Sequence, residues 1–202
     1  KQAAAEALVK LGSPSVEPLI EKLADKDPEV RSDVAKLLGQ LSDPRACGPL
    51  LKGMNDQSEW VRSSTAEALG KVGDTGAMPV LLEALRDKSQ YVRESVAGAL
   101  GHLGHPLAVA PLITIALRDR EKSVRKAAAT ALGLLRDTRA VQPLIEVLVV
   151  GSKIADQRLF DELVTAGRLE SISRLLTPTG DKDTEVRSAA ATALGILGGE
   201  LA

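Results

Sequence analysis

Nonpolar side chains return in the same order about every thirty-one residues along this chain. The dipeptide Val-Arg marks the phase at Val30-Arg31, Val61-Arg62, Val92-Arg93, Val124-Arg125 and Val186-Arg187. The valines are spaced by 31, 31, 32 and 62 residues; the last interval is two periods, which predicts a sixth, degenerate unit near residue 156. Prolines keep step at Pro18, Pro49, Pro111 and Pro143, with Val80 and Arg174 in the proline place of the remaining units. A glycine follows nine residues after each valine, at Gly39, Gly70, Gly101, Gly133 and Gly195. Three markers in one phase identify an internal repeat, and a repeat of this length means stacked supersecondary units.

Each unit reads as two helices. The first begins after Ser13, Asp43, Asp74, His105 or Asp137, of which Ser and Asp are good helix caps. Pro14, Pro44 and Pro106 follow at once, where a helix tolerates proline. The recurring proline one turn further in predicts a kink or a delayed helix start. The second helix begins after Asp27, Ser58, Ser89 or Asp183, with Glu121 as a poorer cap in the fourth unit. On a wheel of about 100° per residue with each valine at zero, positions 0, +4, +7, +8 and +11 share one face. The invariant alanines Ala35, Ala66, Ala97, Ala129 and Ala191 and then the glycines extend it to a nonpolar arc of about 200°. A helix so widely apolar must be packed on several sides, with its smallest residues where a neighbour comes closest. That is the requirement of a stacked array.

The pattern therefore predicts an all-α chain: one domain over residues 1–202, an α-solenoid of about six hairpins of about thirty-one residues. Its units are a partial one at 1–12, then 13–42, 43–73, 74–104, 105–136, a degenerate one at 137–167, and 168–202.

Composition sharpens this picture. Of 202 residues, only Trp60, Tyr91 and Phe160 are aromatic, against 44% apolar residues overall. A thick central core normally contains more large rings; Ala, Leu and Val suit thin helical layers. A net charge of −1 speaks against general affinity for nucleic acid. One cysteine, Cys47, excludes an internal disulfide framework. No apolar run approaches a bilayer span and no signal peptide is visible, so a cytoplasmic protein without membrane contact is expected. The chain starts at Lys1, and neither terminal helix carries a polar cap. A piece of a longer array, or end-to-end self-association, is the expectation from those ends.

The segment VRKAAATALGLLRDTRAVQPLIEVL, Val124 to Leu148, resembles the HEAT-like repeat of the phycobilisome-lyase type, whose units read roughly VRxxAAxALGxIGDxxAVxPLIxAL. The units beginning at Val30, Val61, Val92 and Val186 match in part, and the likeness weakens between Val149 and Thr177. The resemblance implies a right-handed superhelix with the second helices on its concave side. It also raises a bilin lyase or lyase-like subunit as an alternative function. The similar repeat enzyme deoxyhypusine hydroxylase binds iron through paired His-Glu motifs, and no His-Glu dipeptide occurs here.

Two recurrent features invite a site. Asp25, Asp56, Asp87, Asp119 and Asp181 lie in register with Arg31, Arg62, Arg93, Arg125 and Arg187. An anion- or metal-binding stripe is one reading; an internal Asp–Arg ladder joining successive turns is preferred, because a catalytic pair would not recur in every unit. The second feature is the exposed arc of the second helices, positions −1, +2, +3, +6 and +10. Its residues vary between units while the packing positions do not. Trp60 and Tyr91 hold position −1 of adjacent rows, expected about 10 Å apart. Exposed aromatics suit binding anchors, although they could merely shield the helix starts. Glu29, Glu59, Glu67, Lys71, Glu94 and His102 complete the candidate surface.

His102 and His105 are the only histidines, with Glu94 near them in sequence, and give no persuasive metal set. Cys47 stands where other units carry Val16, Val109 and Val141 and reads as core. The segment 149–157 breaks the pattern, as a surface insertion or a specialised contact loop. No catalytic residue, cofactor site or metal site is called. The reading is a scaffold that binds a protein partner on its concave face; a lyase subunit and a nucleic-acid-binding module are the alternatives.

Overall fold

A computed structural model of the chain describes residues 2–149 and 184–198. They are all-helical, with no strand among the described residues. The chain divides into two compact units, Lys1–His105 and Pro106–Ala202.

In the first unit α1 (Gln2–Leu11) precedes three hairpins: α2 (Val16–Lys22) with α3 (Pro28–Leu41), α4 (Cys47–Gly53) with α5 (Glu59–Val72), and α6 (Met78–Ala84) with α7 (Gln90–Leu103). In the second unit α8 (Val109–Thr114) pairs with α9 (Lys122–Leu135), followed by α10 (Val141–Val149) and α11 (Thr184–Gly198). The predicted units at 137–167 and 168–202 and the segment 149–157 fall largely outside the described residues, as do Phe160, Arg174, Asp181 and Asp183.

The prolines delay the helix start rather than kink it. Each first helix is entered through a short 3-10 turn, as at Pro44–Ala46 and Thr75–Ala77, and the α-helix begins at the residue after it. Pro18, Pro49, Pro111 and Pro143 then stand third in α2, α4, α8 and α10. There a missing N–H costs no helical hydrogen bond. Asp43, Asp74 and Asp137 cap these turns, each accepting from the backbone N–H two residues on at 2.8–3.0 Å. Ser13 does not: it lies inside its turn, and its hydroxyl accepts from Arg45 Nη2 at 2.7 Å.

At the second helices Asp27 caps as predicted, accepting from Glu29 N at 2.8 Å. Ser58 and Ser89 do not cap with their hydroxyls. Their N–H groups instead donate to Asp56 and Asp87 at 2.8 Å, an Asx turn that sets the loop before the helix. At the far ends Gly73 and Gly104 adopt the left-handed conformation, φ 78° and 66°, which closes a helix at least steric cost in glycine.

The core runs as two rows of leucines. Leu38, Leu69 and Leu100 of α3, α5 and α7 are fully buried, as are Leu50 and Leu81 of α4 and α6. In the second unit Leu112, Leu132, Leu144 and Leu194 repeat the arrangement. Thr65 takes a place that Val34 and Val96 hold in the neighbouring rows, and its fully buried hydroxyl has no partner.

Successive second helices meet at backbone distance. A Cβ on Gly39 would lie 2.8 Å from Ala68 Cα, and one on Gly70 would lie 2.6 Å from Ala99 Cα. In the second unit the same approach joins Gly133 to Ala193, at 2.8 Å. Helix α11 thus lies directly on α9, as α5 lies on α3 and α7 on α5.

Gly70→Ala should therefore destabilise the chain by about 1–3 kcal/mol, because backbone atoms stand in the way. Gly98→Ala, where a Cβ meets nothing within 4 Å, should instead stabilise by about 0.5–1 kcal/mol through helix propensity. Chemical denaturation of both variants checks the pair; equal effects would contradict the close approach.

Candidate functional site

The second helices of the first unit are parallel and in register, and two kinds of side-chain link hold them. The first is a seam of serines. Ser32 Oγ lies 2.8 Å from Ser64 Oγ, and Ser63 Oγ lies 2.8 Å from Ser95 Oγ. Ser32 and Ser64 are buried, at 6% and 5% exposure. The predicted exposed arc is corrected at these places: the following helix covers position +2 at Ser32, and the preceding helix covers position +3 at Ser64. Sequence reading missed the seam, because serine also suits an exposed helical surface.

The second link is the Asp–Arg ladder. Arg31 donates to both carboxylate oxygens of Asp56 at 2.8 and 2.9 Å, and Arg62 does the same to Asp87. Each arginine forks the aspartate of the following repeat. Toward its own loop it donates to backbone carbonyls, Arg31 Nη1 to Asp25 O and Arg62 Nη1 to Asp56 O, both at 2.8 Å. The guanidinium thus closes its own hairpin loop and ties it to the next. Arg31 and Arg62 each donate four hydrogen bonds within the ladder, so the stripe is structural. The Arg31 guanidinium holds the Asp56 carboxyl below the usual carboxylate range, against the opposing effect of burial. At Asp87 burial raises the value, but Arg62 and the Ser89 N–H outweigh it and the carboxyl is again held low.

The predicted site residues stand on the solvent-facing side of the same helices. Glu29, Trp60 and Tyr91 are each the second residue of α3, α5 and α7. The rings of Trp60 and Tyr91 touch: their centroids are 4.9 Å apart, tilted by 33°. Two rows expected about 10 Å apart thus carry side chains that lean together, because each ring reaches along the surface toward its neighbour. Contact between rings adds about 0.5–1.5 kcal/mol beyond burial. Even so, Trp60 remains 56% and Tyr91 43% exposed. Glu67 and Lys71 pair on α5 at 2.6 Å, an exposed contact of small energy. Glu29 and His102 are exposed, while Glu59 and Glu94 are half-buried. Glu59 lies close enough to Arg62 to favour its charge.

Cys47 is buried, and burial, then the Asp74 carboxylate, push its thiol up to about 11. A thiol so protonated is a poor nucleophile. Two cavities open beside the first helices, of about 330 Å³ against Pro49, Lys52, Gly53 and Asp56 and about 400 Å³ against Val80, Glu83, Ala84 and Asp87. These two sets are 31 residues apart position by position. The cavities are by-products of the repeat. No helix among the described residues is long and apolar enough to cross a membrane.

The HEAT repeats model matches residues 16–97, 49–123 and 78–155, overlapping stretches that together cover more than half of the chain. The chain belongs to the HEAT-repeat family. A second model of that kind, the PBS lyase HEAT-like repeat, matches residues 1–25. No curated protein matches the sequence significantly. Solved structures similar to this HEAT-repeat chain include an engineered protein (22% identity, TM-score 0.57, 98% of this chain and 84% of that one). The complex of CpcE and CpcF of phycocyanin lyase from Nostoc sp. PCC7120 is similar at 21% identity, with a TM-score of 0.59 and 96% and 85% of the two chains covered. A designed armadillo repeat protein in complex with the peptide (KR)4 is similar at 18% identity, with a TM-score of 0.57 over 97% and 92%. At these identities the likeness is one of fold, an α-solenoid of helical hairpins.

Asp56→Asn should cost about 2 kcal/mol at neutral pH, since it leaves Arg31 without its anion. A carboxyl held low in the folded chain contributes stability above the unfolded value of about 4 and loses it as pH falls further. Urea titrations at pH 7 and pH 3 should show the gap between wild type and variant narrowing at the lower pH; a gap unchanged with pH would contradict the ladder.

Proposed function

We propose that this HEAT-repeat chain is a scaffold that binds a protein partner on the face of its second helices, the concave side of a HEAT solenoid, with Trp60 and Tyr91 as anchors. The observation that carries this reading is the exposed, mutually stacked aromatic pair. Two of the three aromatic residues in the chain are spent on the surface, where folding gains least from them. Such rings, pre-arranged and low in rotamer entropy, supply much of the energy of protein interfaces. The surrounding Glu29, Glu59, Glu67, Lys71, Glu94 and His102 would then select the partner by charge and hydrogen bonding. Variation at these positions between units, over an invariant packing face, suits recognition of one specific surface.

A lyase-subunit role draws support from the PBS lyase HEAT-like repeat match over residues 1–25 and from the shared fold with the CpcE–CpcF complex, neither of which assigns a residue here a part in bilin chemistry. The ladder and the buried thiol offer no free acid, base or nucleophile. Nucleic-acid binding draws no support from a net charge of −1.

The test replaces both anchors. A partner purified with the wild-type chain should bind the Trp60→Ala/Tyr91→Ala variant at least about tenfold more weakly, since interface aromatics commonly contribute more than 1 kcal/mol each. Circular dichroism should show the fold unchanged. Unaltered affinity would end the proposal.

A further inference from the structure

We propose that the aromatic pair receives a cationic side chain, so that the partner presents an arginine to this face. This rests on the docking face described above and adds the chemistry of what docks.

The charge of that face is the first support. On α3, α5 and α7 the acidic residues are Glu29, Asp33, Glu59, Glu67 and Glu94, and the lysines are Lys36 and Lys71. Arg31, Arg62 and Arg93 do not offset them at the surface, because they are turned inward. Arg62 and Arg93 are 6% exposed, and Arg31 and Arg62 are forked by Asp56 and Asp87. Both lysines already face carboxylates, Lys36 near Asp33 at 3.9 Å and Lys71 on Glu67 at 2.6 Å. Five carboxylates against two ammonium groups leave the face negative in a chain that is close to neutral as a whole.

Placement is the second support. Glu29, Glu59 and Glu94 lie at the same helix ends as Trp60 and Tyr91. Glu29 has their register on α3, Glu59 precedes Trp60, and Glu94 is one turn beyond Tyr91. The helix N-termini carry about half a positive charge each, which a full charge on each carboxylate exceeds. A guanidinium laid on an open indole face gains from the ring's negative quadrupole and can hydrogen-bond a carboxylate beside it. Trp60 has ring surface to offer, being 56% exposed while in contact with Tyr91. A purely apolar partner would instead have to desolvate these carboxylates and offer them no hydrogen bond in return.

Trp60 is the only tryptophan, so its fluorescence reports on this place and no other. The full chain is titrated with three short peptides of equal length, in which arginine, glutamine or glutamate alternates with glycine. The arginine peptide should shift Trp60 emission saturably and bind at least tenfold more tightly than the glutamine peptide, with the glutamate peptide silent. Glu29→Gln/Glu94→Gln should weaken the arginine peptide at least fivefold, with unchanged circular dichroism and a weaker salt dependence. Glutamine or glutamate peptides binding as well as arginine would overturn the proposal. So would arginine binding that leaves Trp60 emission unmoved or ignores the two glutamate changes. If the arginine peptide fails while the Trp60→Ala/Tyr91→Ala variant still loses its purified partner, the cationic preference falls and the docking face stands. If neither responds, both fall together.

Discussion

Everything in this chain depends on how closely one second helix can approach the next. A glycine of one helix faces an alanine of the following helix at a separation that excludes a single added methyl group. At that distance the leucine rows interdigitate, serine hydroxyls reach each other across the seam, and an arginine can span from one loop to the next. None of these contacts is possible if the helices stand farther apart. The small residues are a geometric condition on the stack, and the nonpolar periodicity supplies the burial that holds it there.

The surface follows from the same constraint. Parallel helices in tight register bring equivalent positions of adjacent repeats side by side. Trp60 and Tyr91 are 31 residues apart in sequence and in ring contact in space. Arg31 and Arg62 serve the stack and stay out of the face, because their guanidinium groups are engaged by the aspartate of the next repeat and the carbonyls of their own loop. The face is thereby left with its carboxylates, its two lysines and its stacked rings. The structural charge network and the proposed recognition surface lie on the same helices without sharing residues.

Much of this was legible in the residues alone. The Val-Arg, proline and glycine phases specify paired helices in file, and alanine at fixed places marks where neighbours approach. Finer features were not legible, for physical reasons. The Asp–Arg partner could lie in the same repeat or in the next, since spacing in sequence does not say which loop an arginine reaches. Ser58 and Ser89 have the composition of caps, but the aspartate two residues earlier takes their N–H groups. Ser32 and Ser64 looked exposed because a wheel drawn on one helix omits the neighbour that covers it. An interval of 62 residues between Val124 and Val186 likewise does not say which helices touch, and the close approach of Gly133 to Ala193 is a contact that spacing alone does not contain.

The register of the second helices is the central claim, and a cross-link measures it most directly. With Cys47→Val removing the native thiol, Ser63→Cys/Ser95→Cys places two sulfurs where the hydroxyls are 2.8 Å apart, within the reach of an unstrained disulfide. Ser63→Cys/Gly98→Cys offsets the pair by one helical turn. Under mild oxidation the first pair should close to a disulfide nearly completely, without loss of helicity, and the second should stay reduced. Failure of the first pair to close, or equal closure of both, would contradict the stacked register on which the account stands.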